Sequence, residues 1–294
     1  MRSLDARLKA VRAATDPALL LAALADSSPL VIEAAAKRLH DPGVAGALLA
    51  AYQRLHAAAP AGDPVCWGRA ALLEALGRLD VPLAEAAARL AIRTVQVEAV
   101  GWGLADTATG LRVAAAGVLA NRHAAGALFD LALLLWDHVP NCSCAPSEAP
   151  FAKAATRAAA ARAIGALGDP GGGPLLAVRL AHPEGEVPEV LGECLDALVA
   201  LEEPRAPDCL RPWLAAADEY LVSVAATNLA RCLGPEAVPE LLAAVDTVVA
   251  PARESVVLAL ASVRADATQA ALRRLAEHAD PAVARTARSF LPSV

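Results

Sequence analysis

Residues 157–169 read RAAAARAIGALGD, and a proline follows them. Alanine and leucine are strong helix formers, so this stretch predicts an alanine-rich helix that stops at the glycine and proline. The phrase returns at residues 69–80 (RAALLEALGRLD), at 112–123 (RVAAAGVLANRH) and, more loosely, at 280–291 (DPAVARTARSFL). The first three copies begin with arginine and carry an aliphatic residue seven positions later. A recurring helical phrase indicates a repeat protein.

The register extends along the chain at spacings of 39, 43, 45, 34, 32, 32 and 30 residues, through Leu30, Arg69, Arg112, Arg157, Leu191, Ser223, Ser255 and Arg285. Each repeat is expected to hold two helices, with a proline near the first turn and N-caps at Asp16 or Thr15, at Ser27 or Ser28, and at Asp280. A pair of helices this short cannot bury its apolar stripe alone. Neighbouring repeats must therefore stack on one another.

Composition agrees with an all-α fold. Apolar residues make up 56% of the chain and aromatic residues 3%, so alanine, leucine and valine fill the core. No window of about 18 residues is free of charges and helix breakers, so no membrane span is expected. The opening segment is charged and amphipathic, which predicts a capping helix over residues 1–14 rather than a signal peptide, and a cytoplasmic protein.

The D-P-x-V-x-R phrase at residues 280–285 and the A-L-G-D-P phrase at 166–170 resemble bacterial HEAT repeats of the phycobilin-lyase-like type. The resemblance covers nearly the whole chain. It implies a right-handed α-solenoid of about eight stacked helix pairs in a single domain, residues 1–294, with the second helix of each pair on the concave face. HEAT proteins include scaffolds, protein-binding adaptors, bilin lyases and DNA glycosylases, so the resemblance leaves the function open.

The repeats differ in length, and the difference predicts a site. Residues 15–168 carry long insertions between first and second helices, at 56–67, 99–110 and 136–151, whereas the repeats in 169–294 are regular. Insertions at equivalent points of stacked repeats emerge on one edge. Trp67, Trp102 and Trp136 lie in or beside them, and tryptophan is enriched where proteins bind partners. We expect at least two of the three to be partly exposed; the alternative is that each packs beneath its loop.

Polar candidates accompany the tryptophans: Gln96, Glu98, Asp106, His138 and the register arginines Arg69, Arg112 and Arg157. Asp106 or Thr107 is expected to cap the helix that begins near Thr109. The arginines should form a ladder. Such a ladder either pairs with acids or carbonyls of the adjacent turn or holds a carboxylate or phosphate of a ligand.

In the fifth repeat, four acids are predicted to share one helical stripe: Glu186, Glu189, Glu193 and Asp196. Such a stripe is either a solvated face or a surface that docks a basic partner.

As a metal site, the third insertion would offer His138, Cys142 and Cys144, with Asp137 as a possible fourth ligand. Structural zinc usually takes four ligands with C-x₂₋₄-C spacing, and C-x-C is tighter than that. A structural loop is therefore favoured over a metal site or a redox pair, and no metal or cofactor is predicted. Residues 168–174, GDPGGGP, lack a P-loop lysine and are interpreted as a linker. No catalytic residue is assigned.

Three functions compete. The leading hypothesis is a non-catalytic scaffold, monomeric, that binds a protein or peptide through the inserted edge of repeats two to four and the concave face. The alternative is an enzyme or chaperone for a small molecule, as in bilin lyases or natural-product biosynthesis, with a pocket beneath the insertions. A HEAT-type DNA glycosylase is third, because a net charge of −6 disfavours a nucleic-acid groove.

Overall fold

The computed structural model describes residues 3–101, 103–137 and 153–292. Within these ranges the chain forms seventeen α-helices and one two-stranded hairpin, in agreement with the all-α class. Contacts divide the helices into two compact units, residues 1–167 and 168–294, called here the N-terminal and C-terminal halves. Stacking of all repeats into one continuous array stays a prediction. None of the described helices is long and apolar enough to cross a membrane.

The described part of the N-terminal half contains nine helices and the hairpin. Its elements are α1 (Leu4–Ala13), α2 (Pro17–Ala23), α3 (Pro29–Ala36), α4 (Ala45–Ala58), α5 (Trp67–Arg78), α6 (Leu83–Ala91), β1 (Val97–Val100), β2 (Gly103–Asp106), α7 (Thr109–Asn121), α8 (Ala127–Leu135) and α9 (Ala154–Leu167).

The described part of the C-terminal half contains eight helices. They are α10 (Gly172–Ala181), α11 (Pro188–Ala200), α12 (Ala206–Leu210), α13 (Glu219–Leu233), α14 (Ala237–Thr247), α15 (Arg253–Ser262), α16 (Asp266–Leu275) and α17 (Pro281–Ser289).

The second helices of successive pairs stack on one another. The order is α3, α5, α7 and α9 in the N-terminal half, and α11, α13, α15 and α17 in the C-terminal half. Small side chains let these helices approach closely. A Cβ at Gly77 in α5, for example, would lie 2.7 Å from Cγ2 of Val118 in α7. The first helices, from α4 to α16, pack against these second helices, and this stacking of helix pairs is an α-solenoid.

Several helix ends follow the expected chemistry. Asp16 and Asp280 each accept a hydrogen bond from the amide of the second residue of their helix, and proline is the first residue. Ser28 is the N-cap of α3 but makes no such side-chain bond. After α9, Gly168 has a φ of +70°, which favours glycine at a helix C-terminus.

The glycine-rich segment is only in part a linker. Helix α10 already begins at Gly172, and Gly173 is buried in its first turn. A Cβ at Gly173 would meet the end of the Glu203 side chain, which would have to move, so glycine allows close packing there. The expected linker over 168–174 therefore shrinks to residues 168–171.

The hairpin was not expected from the sequence. It forms at the second insertion, which thereby begins two residues earlier than predicted, with Val97 opposite Asp106 and Val100 opposite Gly103. Gly101, with a φ of +57°, supplies the turn conformation that a tight hairpin requires. All three insertions lie between the first and second helices of their pairs, as the repeat spacing predicts.

Candidate functional site

Arg69 and Asp63 form a buried ion pair at the base of the first insertion. Arg69 Nε lies 2.9 Å from Asp63 Oδ2, and both side chains are almost fully buried. Asp63 also accepts hydrogen bonds from the amides of Gly68 (2.8 Å) and Arg69 (3.1 Å). Arg69 Nη2 donates to Cys66 Sγ at 3.1 Å and to Gln96 Oε1. Because removing either charge would leave the other buried without a counterion, the pair fixes this insertion to the start of α5.

Gln96 and Glu98 join the hairpin segment to the first insertion. Gln96 Nε2 donates to the Asp63 carbonyl (3.0 Å) and to Glu98 Oε2 (3.1 Å). Glu98 Oε2 also accepts from the Val65 amide (2.8 Å) and from the Thr107 hydroxyl. Burial alone raises the pKa of Glu98, but these three hydrogen bonds outweigh it and hold the pKa below its usual value. The ionised carboxylate thus connects two consecutive insertions.

Arg112 has a similar arrangement in the next repeat. Its Nη1 lies 2.8 Å from Asp106 Oδ2, with both side chains buried, and donates to the Thr94 carbonyl at 2.6 Å. Asp106 Oδ1 accepts hydrogen bonds from the amides of Gln96 and Ala108, both at 3.1 Å. Burial alone raises the pKa of Asp106, yet these amides and Arg112 lower it overall. The carboxylate therefore anchors the hairpin to the turn that leads into α7.

The expected cap of α7 is wrong in one respect. The helix begins at Thr109 as predicted, but its N-cap is Ala108, which makes no side-chain bond. Asp106 Oδ2 pairs with Arg112, and Oδ1 accepts a hydrogen bond from the Ala108 amide, one residue before the helix. Thr107 donates from its hydroxyl to the Gln96 carbonyl at 3.1 Å.

Arg157 supports the beginning of the third insertion. It is fully buried, and its Nη1 donates to the carbonyl of Asp137 at 3.3 Å. Lys153 Nζ lies 2.9 Å from Asp137 Oδ1 and 3.5 Å from Asp106 Oδ2. His138, Cys142 and Cys144 lie outside the described residues, so the metal and redox alternatives for them stay untested.

The three register arginines are thus paired with acids or carbonyls of nearby turns. The exposed fraction is 1% for Arg69, 2% for Arg112 and 0% for Arg157. Direct contact with a partner requires exposed side-chain area, so their contribution is to support the insertions. Asp63 was not expected from the sequence, although a signal existed: Asp63 precedes Arg69 by the same six positions that separate Asp106 from Arg112.

Five exposed side chains of the first two insertions make up what we call the apolar edge: Val65, Trp67, Val97, Val100 and Leu104. Trp67 is 48% exposed, and the four aliphatic side chains are 40% to 56% exposed. The hydrogen bond from the Val65 amide to Glu98 holds the loop beside the hairpin. By the hairpin register, Val97 and Leu104 share one face of the hairpin and Val100 lies on the other, the face of Glu98. Exposed apolar side chains grouped on a folded protein often mark an interaction site.

The backbone at the apolar edge is strained. Val65 and Cys66 both have a φ of 57°, in the left-handed region. A β-branched residue rarely adopts this conformation, at a cost of about 1–3 kcal/mol, and such strain concentrates at functional sites.

Burial raises the pKa of the Cys66 thiol to about 11, so this cysteine is protonated at neutral pH and is not a nucleophile.

Two of the three flagged tryptophans are described, and both are partly exposed. Trp67 is the first residue of α5, and Trp136, 37% exposed, is the C-cap of α8. This confirms the expectation that at least two are partly exposed. Trp102 lies outside the described residues, and a shared edge for all three stays a prediction.

The acidic stripe of the fifth repeat needs a correction. Glu186 precedes α11, and its buried carboxylate pairs with the buried Arg179. Glu189 is exposed, Glu193 is half-buried, and the exposed Asp196 accepts a hydrogen bond from Asn228 Nδ2 at 2.7 Å. The exposed acidic surface is therefore smaller than the sequence predicts. Across the described ranges, no group of three or more His, Cys, Asp or Glu side chains could hold a metal ion.

Comparison with known proteins identifies the fold. No protein-family model matches the chain, and no curated protein matches it in sequence. A solved structure of a Kap121p mutant aligns with a TM-score of 0.50 at 12% identity, over 99% of this chain and 37% of that chain. The chain has the HEAT-repeat fold.

Two further solved structures are similar over most of this HEAT-repeat chain. The complex of CpcE and CpcF of phycocyanin lyase from Nostoc sp. has a TM-score of 0.49 and 21% identity, over 95% of this chain and 94% of that chain. Human deoxyhypusine hydroxylase in complex with glycerol has a TM-score of 0.38 and 18% identity, over 85% of this chain and 98% of that chain. At these identities no activity carries over from them.

Proposed function

We propose that the protein is a non-catalytic HEAT-repeat scaffold that binds a protein or peptide partner through the apolar edge. The observation that supports this most strongly is the exposure of Trp67 beside Val65, on a loop tied to the hairpin. An aromatic side chain with few rotatable bonds, on a fixed backbone, loses little conformational entropy on binding.

Some candidate residues would contact the partner, and others would hold the insertions in shape. Trp67 contacts the partner, and Trp102, Trp136 and His138 are further candidate contact residues. The buried arginines Arg69, Arg112 and Arg157 hold the insertions in shape, as do Gln96, Glu98 and Asp106. In the C-terminal half, Glu189 and Glu193 on α11 offer a separate surface for basic groups of a partner.

The small-molecule alternative requires a pocket beneath the insertions. A concavity there, lined among others by Val95, Arg112, Leu133 and Asp137, has a volume of about 170 Å³. Ligand pockets are usually about 300–1,000 Å³. This concavity is too small for a typical ligand, so the scaffold is the better-supported function.

The DNA glycosylase alternative requires a basic groove. The net charge of −6 opposes one, and the guanidinium groups of Arg69 and Arg112 are buried against carboxylates. Neither is available to phosphate oxygens.

Affinity capture from the host lysate, followed by titration of the captured protein, tests the proposal. Trp67→Ala should weaken binding at least about fivefold, because a buried interface tryptophan contributes about 1 kcal/mol or more. Phe129→Ala is the matched control, since Phe129 is 65% exposed in the same half but lies on α8, outside the insertions. Its affinity should equal that of the wild type.

Both variants must keep the wild-type melting temperature for the comparison to count. Equal affinity in Trp67→Ala and wild type would exclude the apolar edge. A co-purified small molecule in place of a protein would favour the small-molecule alternative.

A further inference from the structure

The C-terminal half contains a larger concavity, of about 530 Å³, between α10 and residues 206–216. Its walls include Leu180, Pro183, Pro212 and Trp213, and Asp208 and Cys209 are its polar members. The volume lies in the range of small-molecule pockets, about 300–1,000 Å³, and mostly apolar walls with a few polar groups are typical of them.

Proline ends the helix beside this concavity early. Helix α12 has only 5 residues and continues as a 3-10 turn over 211–215. Pro212 has no amide hydrogen, so it cannot make the hydrogen bond that would continue α12 as an α-helix. The corresponding first helix of the next pair, α14, runs for 11 residues. The concavity therefore lies beside a first helix that is shorter than α14.

Asp208 is the one charged side chain among the described residues that line the concavity, and Arg211 and Glu240 lie beside it. Asp208 Oδ1 accepts a hydrogen bond from Arg211 Nη1 at 2.7 Å, and Arg211 Nε donates to Glu240 Oε1 at 3.1 Å. One guanidinium therefore faces two carboxylates, which leaves this group of three with a charge of −1. Residues 170–294 as a whole carry 10 basic and 17 acidic side chains, a difference of −7.

Trp213 and Cys209 define the rest of the chemistry. An indole ring attracts a cation over its face, and the attraction grows when the cation is partly desolvated. Burial raises the pKa of the Cys209 thiol, so this side chain is a neutral part of the wall. The net negative group at Asp208, an indole and apolar walls together favour a ligand with an apolar body and one positive charge.

We propose that this pocket binds a small organic cation, with its ammonium group at Asp208 and Trp213 and its apolar body against Leu180 and Pro183. The site is separate from the apolar edge and does not depend on the scaffold function.

Titration of the full-length protein with phenethylamine tests the proposal, with 3-phenylpropionate as the anion of similar shape. Isothermal calorimetry should show millimolar binding of the amine and at least about tenfold weaker binding of the acid. Asp208→Asn should reduce this preference severalfold. Because Asp208 is 69% exposed, this change leaves the core intact.

Ala181→Phe should abolish amine binding by filling the pocket, since Ala181 is an exposed lining residue on α10. Val178→Phe is the matched control, because Val178 is 52% exposed on the same helix and does not line the pocket. It should bind the amine like the wild type.

Absence of amine binding would overturn the proposal. Equal binding of amine and acid would do so as well, as would unchanged amine binding in Ala181→Phe. Protein capture lost in Ala181→Phe, without any amine binding, would mean that a macromolecule docks here instead. Partner capture through Trp67 should be unaffected by Ala181→Phe, so this pocket and the scaffold function fail separately.

Discussion

The two halves of the chain differ in the burial of arginine at one repeat position. In the N-terminal half the position holds Arg69 and Arg112, each almost fully buried against a carboxylate. In the C-terminal half the position holds Leu191, Ser223, Ser255 and Arg285, and Arg285 is 73% exposed and 3.9 Å from its carboxylate partner. The buried arginines occur where an insertion separates the two helices, and the exposed one occurs where none does. Arginine at this position therefore stabilises the insertion and is not required by the repeat itself.

The largest expected effect is a loss of stability when a buried arginine is removed, compared with removal of an exposed one. Arg69→Met leaves the Asp63 carboxylate buried without its counterion, which should lower the free energy of unfolding by about 3–5 kcal/mol. Arg285→Met removes an exposed pair and should cost about 0–1 kcal/mol. Urea denaturation followed by circular dichroism measures both. Similar losses in the two variants would break the comparison between the halves.

A smaller effect concerns Glu98, whose pKa is lowered in the folded protein from an ordinary value of 4.5. A carboxylate with a depressed pKa stabilises the fold above its unfolded pKa, and this contribution disappears as the pH falls through the folded pKa. Glu98→Gln should therefore melt at a lower temperature than the wild type at pH 7. The difference should vanish in strong acid, below the folded pKa.

Thermal melts of the two proteins across this pH range provide the measurement. Glu219→Gln, an exposed acid in the first turn of α13, is the control and should show a smaller dependence. A difference for Glu98→Gln that persists unchanged at the acid end would exclude ionisation as its source.

The smallest effect separates two helix caps. The Asp218 side chain accepts a hydrogen bond from the Leu221 amide at 3.1 Å, so Asp218→Ala should cost about 1 kcal/mol. Ser28, the N-cap of α3, makes no side-chain bond, so Ser28→Ala should cost less than about 0.5 kcal/mol. Denaturation midpoints measured side by side decide this. Equal losses of stability in the two variants would show that an N-cap residue acts through its backbone preference and not through a side-chain hydrogen bond.

Most of the fold was predictable because its signals are local. The repeated phrase around Arg157 and the proline and aspartate at the ends of helices follow from helix chemistry over a few residues. The hairpin was missed because four-residue strands in an insertion give little periodicity. The glycine-rich segment was misread because Gly173 meets the side chain of Glu203, thirty positions away.

The candidate site was predictable in its location but not in its contacts. Insertion lengths placed Trp67 at an exposed position, and the repeat register identified Arg69. The sequence did not assign Glu186 to Arg179, because that pairing depends on how a loop folds back after α10. Nor did it indicate the strained conformation of Val65, which depends on the hydrogen bond to Glu98.

Two hydrogen bonds join the first insertion to the hairpin segment: Val65 N–H donates to Glu98, and Gln96 donates to the Asp63 carbonyl. They determine how this part of the chain opens locally. In a repeat protein each repeat contacts only its neighbours, so loops and terminal repeats can open one at a time. Here the first insertion cannot detach unless its bonds to the hairpin break as well. Residues 63–69 and 96–107 should therefore open as one cooperative segment, and their amides should exchange with solvent deuterium at a common free energy.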